Sequence, residues 1–225
     1  MRQFRIHVRL MPVVFAVLLA TQGMAQSVEE NEFHSTRIGI SAGMGVNIHN
    51  AQDLVKSINV ITLGGRVDDF KSAVEFFGAV AVPFSSDWVA KAEFVYMLSS
   101  YNLQAVYGNT EITYVVLMPT LIAQYILFEA PHYNLKSGIG AGYHFGSYED
   151  RFFGSRYSAK GLGTLLELEG NTALGEDLFA HLGLQARWDF IGNLTNDQGK
   201  LPLGTTQTNL HFFSLGARLG MTYYF

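Results

Sequence analysis

Apolar and polar residues alternate with a period of two along most of this chain. In residues 37–48 one parity holds isoleucine, alanine, methionine and valine, whereas the other holds arginine, serine, asparagine and glycine. Successive side chains of a β-strand face opposite sides, so such a segment has one apolar and one polar face. A helix would instead need apolar residues three and four positions apart. The pattern therefore predicts strands whose two faces meet different surroundings.

Eight segments carry this signal, six of them clearly. Two are less regular. Residues 112–128 are apolar on both parities, with Pro119 in their middle, and residues 161–173 set Leu162, Thr164, Leu166 and Leu168 outward against Glu167 and Glu169 inward. We count both as strands, since an even number of strands closes a barrel with both termini on one side. The predicted strands are 37–48, 73–84, 88–99, 112–128, 132–146, 161–173, 178–190 and 211–225.

Short and long connections alternate between these segments. Turn-forming residues make the connections at 85–87, 129–131 and 175–177 short. The others, predicted as long loops, are 49–72, 100–111, 147–160 and 191–210. Short turns at one end and longer loops at the other are typical of transmembrane barrels.

The apolar parity indicates lipid rather than a soluble barrel's interior. No strand carries a charged residue on that parity, and a charge there would cost roughly 2–4 kcal/mol at the bilayer midplane. Large aromatic residues favour the depth of the lipid headgroups, and Trp88 and Tyr223 are predicted near one rim, with Phe145 and Trp188 near the other. A lipocalin-like soluble barrel is the alternative. The predicted fold is all-β, an eight-stranded antiparallel transmembrane up-and-down β-barrel over residues 37–225.

The first residues resemble a secretory signal. Three arginines precede an apolar run from Leu10 to Ala20, and Gly23-Met24-Ala25 ends it, so we expect a signal peptide over 1–25 and a periplasmic N-terminal segment over 26–36. Residues 1–25 contain three arginines and no acidic residue, so their removal changes the formal charge from −4 to −7. That balance argues against nucleic acid as a partner. The expected location is the bacterial outer membrane.

The last eight residues carry a more specific signal. A polar residue, a glycine and two aromatic residues occupy Arg218, Gly220, Tyr223 and Phe225. This stretch resembles the terminal assembly signal of bacterial outer-membrane proteins, and the whole layout is similar to the small outer-membrane barrel family that includes OmpA-type and OmpX-type barrels. The resemblance implies recognition by the barrel-assembly machinery. The alternative is that Phe225 is one more lipid-facing aromatic residue.

Ten charged residues fall on the predicted inward parity. Isolated buried charges are very costly, so we expect them to pair within a charge-filled barrel. Inward glycines in 39–45 and 138–142 should make room for long side chains from across the barrel. A narrow pore in which the pairs exchange partners is the alternative. The predicted interior charge network is Arg37, Glu75, Lys91, Glu93, Lys136, Glu167, Glu169, Arg187, Asp189 and Arg218.

Little in the chain predicts a metal, a cofactor or a catalytic group. There is no cysteine, and of the seven histidines only His144 and His181 are expected to face inward, as satisfied interior residues. Some small barrels modify lipids through a serine or histidine near the outer rim, so a lipid-modifying enzyme is the third hypothesis. Its candidate residues are His144, Ser147, Glu149, Asp150, Ser155 and Ser158.

The favoured function is therefore not enzymatic. We expect a structural role in envelope integrity, or surface interactions through the loops at 49–72 and 147–160. Aromatic residues and arginines within 147–157 suit a protein, glycan or lipopolysaccharide ligand. The expected partners are outer-membrane lipid and lipopolysaccharide, the assembly machinery, and an extracellular protein or glycan. A narrow passive pore for small solutes is the second hypothesis.

Overall fold

Eight long strands form a closed antiparallel barrel. The computed structural model describes residues 37–61, 70–105, 108–150, 155–196, 199–200 and 208–225. Each long strand pairs with its neighbours in sequence, and the last pairs with the first. The predicted eight-stranded up-and-down barrel is confirmed. Its strands are β1 (Gly39–Asn50), β2 (Phe70–Pro83), β3 (Trp88–Ala105), β4 (Gly108–Ala130), β5 (Tyr133–Asp150), β6 (Ser155–Ala173), β7 (Leu178–Asn193) and β10 (Asn209–Tyr224).

The two parities separate as the alternation predicts. Glu75 in β2 is fully buried, while its neighbours Val74 and Phe76 are 40% and 50% exposed on the outer surface. Register explains this separation, because a strand paired residue by residue with both neighbours keeps each parity on one side of the sheet. The register of β1 with β2 and β10 is continuous from Gly39 to Asn50.

Aromatic side chains ring the outer surface near both ends of the barrel. At the end with the short turns, the Trp88 ring lies 5.2 Å from that of Tyr125. At the opposite, long-loop end, Trp188 lies 5.2 Å from Phe213. An apolar band between two aromatic girdles is the surface that a bilayer covers. No helix among the described residues is long and apolar enough to cross a membrane.

Two of the predicted long loops are wrong, because the strands continue through them. β3 and β4 remain paired from Trp88↔Tyr125 to Ala105↔Gly108, across most of 100–111. β5 and β6 remain paired as far as Asp150↔Ser155, within the predicted loop 147–160. Backbone pairing needs no apolar face, so a hairpin can extend beyond the residues whose alternation reveals it.

The other two connections contain short elements. Helix α1 (Gln52–Ile61) follows β1 inside the segment 49–72. A small hairpin of β8 (Thr195–Asn196) and β9 (Gly199–Lys200) lies within 191–210 and joins β6 through Ser158↔Thr195. The expected signal peptide and the segment 26–36 lie outside the described residues.

Strand β4 owes its irregular pattern to a proline and a bulge. Proline has no N–H for the ladder, and the pairing with β5 passes from Leu117↔Phe145 to Thr120↔Gly142 without partners around Pro119. A second irregularity, between Ile126 and Phe128, lets both Leu127 and Phe128 face outward. The two less regular segments are nevertheless strands, as predicted.

Candidate functional site: the barrel interior

The barrel interior is divided into layers along its axis. The half nearer the short turns holds charged and amide side chains, whereas the half nearer the long loops is lined by apolar ones. We call the first set the charged layer; it comes from six strands and consists of Glu75, Lys91, Glu93, Lys136, Glu167, Glu169, Arg187 and Arg218.

Glu93 lies at one centre of the charged layer. One of its carboxylate oxygens accepts from Arg187 Nη2 at 2.7 Å, and the other accepts from Arg218 Nη1 at 2.6 Å. Arg218 also binds Glu75, and its guanidinium lies 4.8 Å from the centre of the Phe77 ring. Two guanidinium groups thus share two carboxylates across β2, β3, β7 and β10.

Lys91 is the second centre. Its ammonium lies 2.8 Å from carboxylate oxygens of both Glu167 and Glu169. Gln124 Nε2 donates to the same two carboxylates, at 2.7 and 2.8 Å. Lys136 lies further away, 3.8 Å from Glu169. These contacts join β3, β4, β5 and β6.

Amide groups complete the charged layer. Asn47 Nδ2 and Gln185 Nε2 each donate to Glu75, at 2.7 Å in both cases. Buried charges are tolerated when their partners also satisfy the remaining lone pairs, and these amides supply such partners. The result is a bonded network across the barrel in which moving one charge means breaking several contacts.

Arg37 does not belong to this network, contrary to the prediction. It precedes β1 and lies at the short-turn rim, where Nη1 is 2.7 Å from Asp177 and Nη2 donates to the Tyr224 carbonyl at 3.0 Å. Its side chain is partly exposed. The parity of Arg37 could not show this, because parity assigns a face only within a strand and β1 begins at Gly39.

Inward glycines make room for the charged layer, as the packing hypothesis predicted. A Cβ at Gly45 would lie 2.9 Å from Glu75 Oε1 and 3.0 Å from Arg218 Cγ. A Cβ at Gly138 would lie 3.0 Å from Glu167 Cγ. Long charged chains occupy the space that these glycines leave open.

The apolar half of the interior contradicts the expectation of a charge-filled barrel. Helix α1 closes this half with Leu54 and Val55, which are fully buried, as is Ala51 directly before the helix. The sequence could have predicted this apolar half, because inward residues near the long-loop ends of the strands, such as Met97 and Val116, are apolar. We call this set the apolar layer; besides the three residues at α1 it consists of Ala73, Val95, Met97, Tyr114, Val116, Met118, Tyr148, Tyr157, Ala159, Ile191, Leu210 and Phe212.

Three histidines, not two, face the interior. His49 is fully buried in β1 and binds the Tyr114 hydroxyl through Nε2, which corrects its assignment to a loop. His144 binds Asp189 through Nδ1, and its Nε2 lies 3.3 Å from Thr120 Oγ1. No group of three or more metal-binding side chains forms among the described residues.

The residues considered for a lipid-modifying enzyme are not brought together. His144 is buried and faces inward, whereas Ser158 is exposed on the outer parity of the β5–β6 hairpin. Ser147 accepts a hydrogen bond from Arg156 Nε at 3.1 Å and has no imidazole among its contacts in the described residues. The side chains of Asp150 and Ser155 lie outside the described residues.

The C-terminal residues divide between the two faces of β10. Arg218 joins the charged layer, and a Cβ at Gly220 would lie 3.0 Å from Gly43 Cα in the neighbouring strand. Tyr223 and Phe225 are exposed on the outer surface with ring centres 4.9 Å apart. The assembly role of these four residues stays a prediction.

Comparison with known proteins supports the fold. No protein-family model and no curated protein sequence matches the chain. Neisserial surface protein A is 10% identical, with a TM-score of 0.57 over 84% of this chain and 97% of that one. OprG, an outer membrane protein from Pseudomonas aeruginosa, is 12% identical, with a TM-score of 0.55 over 86% and 99%. The predicted resemblance to small outer-membrane barrels is thus confirmed at the level of fold.

Proposed function

We propose that this protein is a non-conducting outer-membrane barrel that presents its long-loop end as an interaction surface outside the cell. Its partners would be lipopolysaccharide and an extracellular protein or glycan. The barrel would anchor this surface in the membrane. Enzymatic turnover is not part of the proposal.

The β5–β6 hairpin is the observation that carries this proposal. On its outer parity the apolar band ends at Phe145 in β5 and Leu162 in β6. Beyond these residues the exposed side chains are polar, with Glu149 in β5 and Arg156, Ser158 and Lys160 in β6. A paired hairpin with a polar outer face beyond the apolar band is stable in water and available for contacts.

The interior supports the non-conducting part of the proposal. An eight-stranded barrel is just wide enough for side chains to fill. Here the charged layer crosses the interior, and α1 covers the apolar layer beyond it. An ion would have to separate paired charges and then enter an apolar region, which is unfavourable at both steps.

Cysteine labelling in intact cells tests the location and orientation. The chain contains no cysteine, so a single substitution gives an unambiguous label. We expect Glu149→Cys to react with a membrane-impermeant maleimide on whole cells. Its matched control, Ser86→Cys in a short turn, should react only after the outer membrane is permeabilised. Labelling of Ser86→Cys alone on intact cells would contradict the proposed orientation.

Planar-bilayer recording tests the closed interior. We expect no discrete conductance steps from protein whose folding has been verified by its faster migration on an unboiled gel. Glu93→Gln is recorded beside the unsubstituted protein, because this substitution loosens the charge pairs around Arg187 and Arg218. Regular conductance steps from the unsubstituted protein would favour the passive pore instead.

A further inference from the structure

Lysine and arginine occur on the outer face of the barrel wall on one strand alone. Among the strand side chains that the structure describes, only Arg156 and Lys160 are basic residues of the outer parity, and both are exposed on β6. A bilayer surrounds the barrel on all sides, so this pair distinguishes one place on the wall from the rest. The other described strand lysines and arginines lie on the inward parity and are Lys71, Lys91, Lys136, Arg187 and Arg218.

Lys160 lies at the depth of the lipid headgroups. The apolar band of β6 ends at Leu162, and Lys160 is the next outward residue toward the long loops. Two residues of a strand span about 7 Å, or about 5 Å along the membrane normal for a tilt of about 40°. The headgroup region is about 5–8 Å thick on each side of the hydrocarbon core. The side chain of Lys160 therefore starts within the region that holds the lipid phosphates.

No acidic side chain stands beside Lys160 on the outer face. Its partner on β5 is Phe145. On the β7 side lies Gly192, where a Cβ would lie 3.5 Å from the Lys160 carbonyl and meet no other described atom within 4 Å. Glu149 is four residues beyond Phe145 along β5, about 13 Å away. The ammonium group is thus open to an anion from the surroundings.

Arg156 is turned back toward Lys160. Register places Arg156 opposite Glu149, but its Nε donates to Ser147 Oγ at 3.1 Å, one row nearer the bilayer. This bond brings the guanidinium to the row in which Ser147 pairs with Ser158, directly above the row of Lys160. Neighbouring rows are about 7 Å apart. The two cationic groups can therefore contact the same phosphate from above and below.

Hydroxyl groups occupy the row between the two cations. Ser158 pairs with Ser147 on β5 and with Thr195 on β8, and both Ser158 and Thr195 are exposed. A hydroxyl can donate to a phosphate oxygen as the cations do. Among the described outward side chains of β5 and β6, Arg156 and Lys160 stand against one carboxylate, that of Glu149. The face therefore carries a net positive charge.

We propose that Arg156, Lys160 and the hydroxyl of Ser158 bind a phosphate group of lipid A, the membrane anchor of lipopolysaccharide. This inference rests on the proposed function, because only a long-loop end that faces outward meets this lipid. A guanidinium binds phosphate through paired hydrogen bonds, and an ammonium binds it as a point charge. The acyl chains of the same molecule lie against the apolar band that begins at Leu162 and its β7 partner Phe190.

Titration with radiolabelled lipid A tests the site on immobilised, folded protein in a non-ionic detergent. The second probe is the same lipid after removal of its phosphates, so the two differ only in the group that the site recognises. We expect saturable binding of lipid A, with the dephosphorylated lipid at least about tenfold weaker. Inorganic phosphate, added in place of chloride at equal ionic strength, should leave the Kd unchanged. Its displacement of lipid A would assign the site to a free anion instead.

Charge-removing variants locate the bound phosphate. Lys160→Gln and Arg156→Gln should each weaken binding of lipid A about fivefold, the usual effect of one basic residue at a membrane surface. Lys160→Arg keeps the charge and should keep the affinity. The matched control is Lys56→Gln, because Lys56 is an exposed cation of α1, at the same end of the barrel. Migration on unboiled gels verifies that each variant is folded.

Any of three results would overturn the site. Equal binding of the two lipids would show that phosphate is not recognised, and full affinity in the double variant Arg156→Gln/Lys160→Gln would place the lipid elsewhere on the wall. An equal loss in Lys56→Gln would mean that net charge alone attracts the lipid. Binding in detergent does not depend on orientation in cells, so the cysteine labelling described above can fail or succeed independently of this site.

Discussion

At the residue scale, the close approach of β1 to β10 depends on inward glycines. Gly43 in β1 and Gly220 in β10 pair directly, and a Cβ at Gly43 would lie 2.6 Å from Gly220 Cα and 2.8 Å from the Phe77 ring. Backbone cannot move aside as a flexible side chain can. The two strands can therefore stay this close only without side chains between them.

Gly43→Ala should destabilise the barrel, because the strands would have to separate. Overpacking of this kind costs about 1–3 kcal/mol. Gly78→Ala is the control, since a Cβ at this outward glycine meets nothing nearer than the Ser41 carbonyl at 3.9 Å. The free energy of unfolding in guanidinium, measured with lipid vesicles, should fall for the first variant alone. Equal effects would show that strand spacing is not limited at Gly43.

The stability of the charge pairs around Glu93 also depends on a single residue. Glu93→Gln keeps the shape of the side chain but leaves Arg187 and Arg218 with one carboxylate fewer between them. Breaking a buried pair in this way costs about 3–5 kcal/mol. Glu149→Gln, on the exposed outer parity, should cost less than about 1 kcal/mol by the same unfolding measurement. A small effect at Glu93 would mean that water reaches the charged layer.

At the element scale, the position of a residue along its strand determines what it meets outside. Leu184 lies in the middle of β7, and Leu174 lies in the short turn after β6; both are 59% exposed. Two equally exposed side chains have the same environment only if both face lipid or both face water. Lipid around the middle of the strand and water around the turn make them different.

Leu184→Arg should therefore be much more damaging than Leu174→Arg. A charge on the lipid face costs roughly 2–4 kcal/mol at the midplane and about 0–1 near the interface. Unfolding in lipid vesicles measures the difference directly. Similar losses for the two variants would place the middle of β7 outside the bilayer.

The end of β10 allows a separate prediction about assembly. Tyr223 and Phe225 contact each other on the outer surface and are not part of the charged layer. Replacing both with alanine should reduce folded protein in cells several-fold while leaving refolding from urea into detergent nearly unchanged. Phe145→Ala, another exposed aromatic residue, is the control. Equal losses in cells and in detergent would mean that the pair acts only through stability.

At the scale of the whole molecule, the interior consists of layers with different chemistry. The charged layer joins the strands through bonds between side chains that lie far apart in sequence, such as Glu75 with Arg218 and Glu93 with Arg187. The apolar layer joins them through packing, and α1 closes it. The charged layer underlies the proposed lack of conductance.

Much of this architecture can be predicted from the sequence. Period-two alternation is a local property, since a strand turns each next residue to the opposite side whatever its partners are. Alternation alone predicted the eight strands, their outer faces and inward positions such as Glu93, Lys91 and Arg187. It failed at Arg37, where the strand had not yet begun, and at His49, where a strand end was interpreted as a loop.

What the sequence determined by itself is the barrel and the side of its wall on which each side chain lies. Tertiary structure alone decided which charges pair, that the apolar residues of α1 are buried in the apolar layer, and that His49 meets Tyr114. These outcomes depend on the register between strands whose paired residues are as much as 185 positions apart, as in Gly39↔Tyr224. Alternation is invariant to a shift of two residues, so it defines the face of a side chain but not its height.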